Sequence, residues 1–343
     1  MTQYSLPIDT NNLFELIAHE QTLMKAFEAV KRNKGSAGID NVSISDFDEI
    51  KTEELGQLRA ELISWTYKPM PVRRVEIPKP GNKGVRLLGV PCVRDRIVQA
   101  AIKLVIEPIL DPMFSESSYG FRPNRSQRDA IEAARQHVEA GKEYVVDIDL
   151  SKFFDRINQD KIIGLLSKVL EDKRVLRLIG LTLRSGVMTD QGFEPTTIGS
   201  TQGSPLSPLL SNVILDELDK KLEQRGLSFA RYADDCNIFV RTRKAAERVM
   251  ENIAQFIEKK MKLVINKDKS QVALSRRVKF LGVTIVKGTV AISKVAMKNA
   301  KEKIKEIIPR GTSKTLEQTV KDSDSRLNLY NMANLNLKSG VQP

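Results

Sequence analysis

The sequence is poor in the side chains that build disulfide frameworks and zinc sites. Its 343 residues include two cysteines, Cys92 and Cys236, and two histidines. Two cysteines so far apart predict neither a disulfide framework nor a Cys-x-x-Cys motif, and they fit a reducing cytoplasm. Zinc nucleases and zinc knuckles need more nitrogen and sulfur ligands than this. A metal ion bound by this chain should therefore have oxygen ligands, as Mg²⁺ and Mn²⁺ do.

Long apolar runs are also missing, and we expect no secretory leader. No stretch approaches the ~20 apolar residues that a membrane-spanning helix needs. The segment from Met1 to Asn12 has no basic region of the kind that begins a signal peptide. We therefore expect a cytoplasmic protein with no membrane partner.

Positive charge, by contrast, is abundant. The 55 Lys and Arg residues outnumber the 43 Asp and Glu residues and give a net charge of +12. Scattered, solvated lysines would explain such an excess without any function, but it more often marks a polyanionic partner, and nucleic acid is the first candidate. An anionic membrane surface would require a basic amphipathic helix with exposed aromatic residues, and none stands out.

Hydrophobic periodicity and turn residues predict a mixture of helices and strands. Helices are expected over 12–32, 53–65, 94–109, 127–140, 160–169, 172–185, 206–225, 244–259 and 294–308. Strands are expected over 72–78, 85–90, 144–150, 227–233, 236–240, 278–285 and 290–293. The first two strands flank a turn rich in Lys, Pro and Gly and predict a basic hairpin.

Three aspartates stand where folding does not require them. Asp149 ends an apolar strand, and Asp234 and Asp235 lie between two apolar strands. An isolated Asp-Asp pair is usually ordinary turn chemistry. The apolar flanks, the third acid and the basic chain favour a different interpretation, in which converging carboxylates are neutralised by divalent cations. Asp147, on the same face of its strand as Asp149, is the rival for that position.

At these residues the sequence resembles a known family. Arg231-Tyr232-Ala233-Asp234-Asp235 resembles the YxDD motif of reverse transcriptases, and the neighbouring segments resemble the bacterial group II intron branch. Seven further blocks follow the order of that branch between about Asn12 and Lys294: 34–40, 72–91, 118–123, 145–155, 202–210, 263–270 and 280–282. One motif alone would be weak, whereas ordered blocks over this length are specific.

The resemblance implies roles for individual residues. Asp149, Asp234 and Asp235 would bind two Mg²⁺ ions, or Mn²⁺, and the aromatic gate five residues after the metal-binding aspartate favours Asp149 over Asp147. That gate is Phe154, which would exclude a ribose 2′-hydroxyl, although plain core packing is the alternative. The other implied nucleotide contacts are Lys79, Arg86, Gln202 and Lys269, and the implied nucleic-acid contacts are Arg73, Arg74, Arg122 and Arg125. Cations of this kind are otherwise often just solvated surface.

The resemblance also implies a fold and a function. The expected class is α+β, a right-hand polymerase with fingers, an antiparallel-sheet palm and a partial helical thumb. The expected divisions are an N-terminal extension with the start of the fingers (1–70), fingers (71–143), palm with inserted fingers helices (144–293) and a partial thumb (294–343). The expected activity is RNA-directed DNA synthesis from an RNA template, a DNA or RNA primer and dNTPs, with group II intron RNA as a further partner. The alternatives are an intron-RNA-binding maturase or scaffold and, less compatible with Phe154, an RNA polymerase.

Several positions depart from the family pattern. Thr201 and Ser204 replace the usual Pro and second Gly beside Gln202, and Gln159 stands where His is common. The segment from Lys79 to Arg86 is one residue longer than usual. After Ser293 we expect one basic helix, with eight Lys or Arg against two Glu between Lys287 and Lys314. This predicts an abbreviated thumb, or a truncated or frameshifted reading frame, without an endonuclease.

Overall fold

A computed structural model describes residues 12–78, 85–292, 297–298, 301–302 and 305. The helices are α1 (Leu13–Ile17), α2 (Glu20–Asn33), α3 (Ile44–Glu49), α4 (Lys51–Ile63), α5 (Val93–Leu110), α6 (Gln127–Glu139), α7 (Phe153–Arg156), α8 (Gln159–Leu166), α9 (Lys173–Leu183), α10 (Ser207–Gln224) and α11 (Arg243–Phe256). The strands are β1 (Val72–Pro78), β2 (Val85–Val90), β3 (Tyr144–Ile148), β4 (Val187–Thr189), β5 (Gly192–Glu194), β6 (Ser228–Tyr232), β7 (Asp235–Val240), β8 (Gln271–Leu274), β9 (Val283–Val286) and β10 (Thr289–Ile292). The expected α+β class is confirmed.

The chain divides into two compact units, each built from discontinuous segments. Unit 1 comprises 1–115, 151–218 and 257–264, and unit 2 comprises 116–150, 219–256 and 265–343. Helix α10 crosses from one unit to the other after Leu218. None of the helices in the described part of the chain has the length and apolar character needed to cross a bilayer.

Unit 1 is largely helical, with one small sheet. Helix α5 forms its centre, because residues such as Ile97, Val98 and Ile102 are completely buried. Strands β1 and β2 pair antiparallel in register, and β4 and β5 extend the same sheet in the order β2-β1-β4-β5. The observed bounds of β1 and β2 are those predicted for the two strands of the hairpin. The single helix predicted over 12–32 is wrong, because His19 adopts an extended backbone and its ring caps α2 by accepting from the Gln21 amide.

Unit 2 is a four-stranded antiparallel sheet in the order β6-β7-β3-β8, with α6 and α11 packed on it. Helix α6 begins at a capping box in which Ser126 and Asp129 bind each other's backbone amides, which stabilises its first turn. The strand predicted over 278–285 is wrong in its first half. A 3₁₀ turn at Ser275–Arg277 precedes that segment, and β9 starts only at Val283.

Two predicted features fall outside the described residues. The turn 79–84 of the basic hairpin is one of them. The basic helix over 294–308 and the thumb over 294–343 lie outside as well, except for five isolated residues near the start.

Candidate active site

The sheet of unit 2 brings the predicted acids to one edge. Asp147 pairs with Asn237 and Ile148 with Cys236, while Tyr232 pairs with Asp235 across the tight turn that joins β6 to β7. Continuing the β3–β7 register by one residue sets Asp149 across from Asp235. Side chains alternate along a strand, so Asp147, Asp149 and Asp235 emerge on the same face. The turn adds Asp234 to this group, here called the carboxylate edge.

The four acids of the carboxylate edge interact electrostatically. Burial raises the pKa of Asp235 to about 7, and the charges of Asp147, Asp234 and Asp149 add to the rise. Burial also raises the pKa of Asp147, with a further contribution from Asp149, against a hydrogen bond that Gln271 Nε2 donates to Asp147 Oδ2 at 3.2 Å. Like charges at short range favour the protonated acid unless a cation compensates them.

Asp147 and Asp149 differ in their surroundings. Asp147 is held within the sheet by Gln271, whereas Asp149 follows the strand and is anchored through its backbone. Its N–H donates to Ser270 Oγ at 3.0 Å, and its carbonyl accepts from the Asn266 N–H at 2.9 Å. Its carboxylate lies 3.4 Å from the ammonium of Lys269. Asp147 nevertheless contributes more than Asp149 to the raised pKa of Asp235, so both acids influence the electrostatics of this edge.

The donor chemistry of the carboxylate edge fits a hard divalent cation. Across the described ranges, no set of three or more His, Cys, Asp or Glu side chains is already arranged to coordinate a metal ion. The fit rests instead on four oxygen-donor side chains, of which Asp235 and Asp147 have a pKa raised by burial and by the charges of neighbouring acids. A cation bound among them would relieve that repulsion, and carboxylate oxygens are the ligands that Mg²⁺ and Mn²⁺ prefer.

The turn that carries Asp234 and Asp235 is closely packed. Ala233 has a φ of +56°, a left-handed conformation that is unfavourable for a residue with a side chain. A Cβ atom on the nearby Gly120 would lie 2.2 Å from the Ala233 nitrogen, so only glycine allows this approach. Sequence reasoning missed the two residues beneath this turn, Arg231 and Asp219. Their signal was a charge inside an apolar strand and an acid on the apolar stripe of α10.

Unit 1 contains a second group of predicted residues. Phe154 and Gln202 line one cleft of about 340 Å³, together with Arg74, Lys152 and Thr201. The cleft wall is fixed through the backbone. The Ser200 N–H donates to the Phe154 carbonyl at 2.8 Å, and the Gly89 N–H donates to the Gln202 carbonyl at 2.9 Å. The cleft therefore combines an aromatic wall, a polar amide and cationic side chains.

The predicted basic residues have different environments. Arg73 donates to the Ala37 carbonyl at 2.8 Å, Arg122 is buried and donates to the Ser118 carbonyl at 3.1 Å, and Arg125 forms an ion pair with Glu116. These three stabilise local structure. Arg74 lines the cleft, and Arg86 is exposed on β2 opposite Ile77. Lys79 lies outside the described residues.

The sequence of this chain is similar to a known protein family and to several known proteins. The family described as "Reverse transcriptase (RNA-dependent DNA polymerase)" matches residues 77–285. Protein YkfC of Escherichia coli (strain K12) is 33% identical over 300 residues, covering 76% of this chain and 78% of its own. The group II intron-encoded protein LtrA of Lactococcus lactis subsp. cremoris is 33% identical over 221 residues, covering 64% of this chain but 36% of its own. This chain thus spans about a third of the LtrA protein.

A solved structure supports the same architecture. The apo telomerase of Candida tropicalis superposes with a TM-score of 0.54 at 13% identity, covering 86% of this chain and 65% of that one. At this identity the likeness concerns the fold alone. It agrees with an α+β polymerase fold of palm and fingers.

Proposed function

Since the chain belongs to the reverse transcriptase family, and is similar in sequence to proteins encoded by group II introns, we propose that it is an RNA-directed DNA polymerase that extends a primer 3′-hydroxyl with dNTPs. The observation that carries the proposal is the carboxylate edge, where the register of β3 and β7 gathers Asp149 and Asp235 with Asp234 beside them. A nucleic-acid partner also suits the net charge of +12.

In this proposal Asp149, Asp234 and Asp235 hold two Mg²⁺ ions, or Mn²⁺, with Asp147 as a fourth acid that strengthens the local negative potential. Such a pair of ions supplies activation of the attacking hydroxyl and charge stabilisation at the leaving pyrophosphate. The protein contributes by fixing the positions of the carboxylates before the substrate binds.

The cleft of unit 1 is proposed to receive the sugar and base of the incoming dNTP. Phe154 would occupy the space of a ribose 2′-hydroxyl, and Gln202 would contact the nucleotide or the template. Arg74, as a lining residue, and the exposed Arg86 are suited to phosphate oxygens, because a guanidinium binds them as a planar fork. Lys79 remains a proposed triphosphate contact, and Lys269, beside Asp149, a proposed proton donor to pyrophosphate.

RNA template, primer strand and intron RNA are the proposed macromolecular partners. Arg122 and Arg125 remain predicted contacts to nucleic acid, but their local partners argue for smaller contributions than that of Arg74. Arg73, which binds the 36–37 segment, is expected to act in the same indirect way.

The test is primer extension on an RNA template with dNTPs and Mg²⁺. Asp234→Ala should abolish extension, whereas Asp190→Ala, which removes an exposed aspartate from the β4–β5 turn, should leave it unchanged. Extension that survives Asp234→Ala would overturn the proposal. Tight, salt-sensitive binding of structured RNA by a wild-type chain that does not extend primers would instead indicate an RNA-binding maturase or scaffold.

A further inference from the structure

A completely buried ion pair lies beneath the turn of the carboxylate edge. Arg231 on β6 and Asp219 on α10 both have 0% exposure. The guanidinium binds the carboxylate in bidentate geometry, with Nε donating to Oδ1 at 2.7 Å and Nη2 donating to Oδ2. Two charges removed from water at this depth must be compensated by good geometry and by further hydrogen bonds.

The further hydrogen bonds of Arg231 lead to the turn. Nη1 donates to the carbonyl of Ala233 at 2.9 Å, and Nη2 also donates to Ser118 Oγ at 2.7 Å. The backbone of Arg231 binds the same neighbouring segment, because its N–H donates to the Ser117 carbonyl and its carbonyl accepts from the Tyr119 N–H, each at 2.9 Å. One side chain thus joins α10, the 117–119 segment and the turn.

The turn needs such support for two reasons. The left-handed conformation of Ala233 is strained, and such a conformation persists only where the surrounding structure imposes it. The acids that follow Ala233 carry the same charge as Asp147 and Asp149 at the neighbouring end of β3, and like charges at short range repel. Both effects favour a turn that relaxes away from its observed geometry, and a bond to the Ala233 carbonyl opposes that relaxation.

Stability alone does not account for a charged pair at this place. Buried ion pairs are often replaced by packed apolar residues without loss of stability. Apolar side chains could fill the volume beneath β6, but they could not donate a hydrogen bond to the Ala233 carbonyl.

We propose that Arg231 is a positioning residue that holds Ala233 in its left-handed conformation, and that Asp219 and Ser118 orient Arg231 for this task. The residue touches neither substrate nor metal, and it acts by presetting Asp234 and Asp235 for a divalent cation. The catalytic part of this inference rests on the proposed function. The part that concerns structure is the dependence of metal affinity on Arg231.

The test measures Mn²⁺ binding to the purified chain by electron paramagnetic resonance, together with kcat and KM for primer extension. Arg231→Lys keeps the positive charge but loses the bidentate geometry of the guanidinium. It should weaken Mn²⁺ binding by about 10–100-fold, the usual range for groups that orient metal ligands, and lower kcat more than it changes the KM for dNTP. Ser118→Ala removes one hydrogen bond and should act in the same direction, with a smaller effect.

Two controls separate positioning from loss of fold. Asp95→Asn alters a buried carboxylate of unit 1, which accepts from the Tyr67 hydroxyl at 2.7 Å, and should leave Mn²⁺ affinity unchanged. Adding Ala233→Gly to Arg231→Lys should restore part of the affinity, because glycine adopts a positive φ without strain.

The outcomes distinguish the two proposals. Wild-type Mn²⁺ affinity and kcat in a folded Arg231→Lys would overturn the positioning role and leave the polymerase proposal intact. A wild-type chain that binds Mn²⁺ in an Arg231-dependent way but extends no primer would overturn the polymerase proposal alone. Failure of the wild type to bind Mn²⁺ would overturn both.

Discussion

Replacing Phe154 by valine should weaken the selection of dNTPs over rNTPs. Phe154 forms one wall of the cleft of about 340 Å³ in unit 1, and its backbone is fixed from the side of the 199–200 loop. The Ser200 N–H binds its carbonyl at 2.8 Å. A Cβ on Gly199, whose φ is +91°, would lie 3.1 Å from that same carbonyl oxygen. Because the Phe154 backbone is fixed in this way, its ring cannot move away from an added hydroxyl at low cost in free energy.

The magnitude follows from packing. Forcing extra atoms into a well-packed site costs about 1–3 kcal/mol, which corresponds to about a 5- to 150-fold difference in kcat/KM. Valine removes most of the ring, so the ratio of kcat/KM for dNTP over rNTP should fall by a factor in that range. The mutation also removes an edge-on contact with Phe153, whose ring centroid lies 5.2 Å away. That contact is worth about 0.5–1.5 kcal/mol of stability.

The assay is single-nucleotide incorporation with matched dNTP and rNTP, accompanied by thermal unfolding. Phe153→Leu is the matched control, because Phe153 is buried and belongs to the same aromatic pair. It should lower the unfolding temperature without changing the dNTP/rNTP ratio. The reasoning is refuted if Phe154→Val incorporates dNTPs at a wild-type rate with an unchanged ratio, or if both variants change the ratio equally.

Three other predictions concern Lys269, the metal and Asp95. Lys269→Met should leave the free energy of unfolding within about 1 kcal/mol, because its pair with Asp149 is solvent-exposed. It should nevertheless slow nucleotide addition by about 10²–10⁴-fold if Lys269 is the proton donor, so equal rates in a quench-flow experiment would exclude that role. Mg²⁺ at neutral pH should raise the unfolding temperature of the wild type but not of Asp235→Asn, and EDTA should reverse the gain; an equal gain in both would place the ion elsewhere. Burial raises the pKa of Asp95 to about 6, above its unfolded value of about 3.9. The folded state therefore keeps this proton longer, and stability should fall as pH rises from about 4 to 6; urea titrations should show that slope in the wild type and a weaker one in Asp95→Asn.

The local elements of the fold could largely be predicted from the sequence. The strands over 72–78 and 85–90 have their predicted bounds, because a segment rich in Lys, Pro and Gly separates two runs that contain β-branched residues. Errors arose at a local helix cap and at a strand with a weak periodic pattern. Residues 12–32 form two helices because His19 interrupts them, and β8 was missed because four residues with a polar start carry too weak a periodicity.

The sequence indicated which residues form the candidate site, but not the electrostatic interactions among them. Motif order indicated Asp149 with Asp234 and Asp235, and the observed register brings these positions to one edge. The influence of Asp147 on Asp235 depends on distance and burial within the folded sheet, which spacing does not encode. The pair of Arg231 and Asp219 escaped prediction for a related reason. Each residue violates the apolar pattern of its own element, and the other residue, 12 positions away, compensates its charge.

The Arg231–Asp219 pair and the carboxylate edge are consequences of one electrostatic conflict. Asp235 is half-buried, and burial together with the charges of Asp147, Asp234 and Asp149 raises its pKa to about 7. Like charges at short range are costly to folding, and the divalent cation of the proposed function would relieve that cost. In the proposed positioning role, the guanidinium of Arg231 anchors the turn that carries these charges through its bond to the Ala233 carbonyl. Asp219 neutralises that anchor beneath the sheet, so the positive charge of Arg231 would leave the carboxylates available to a cation.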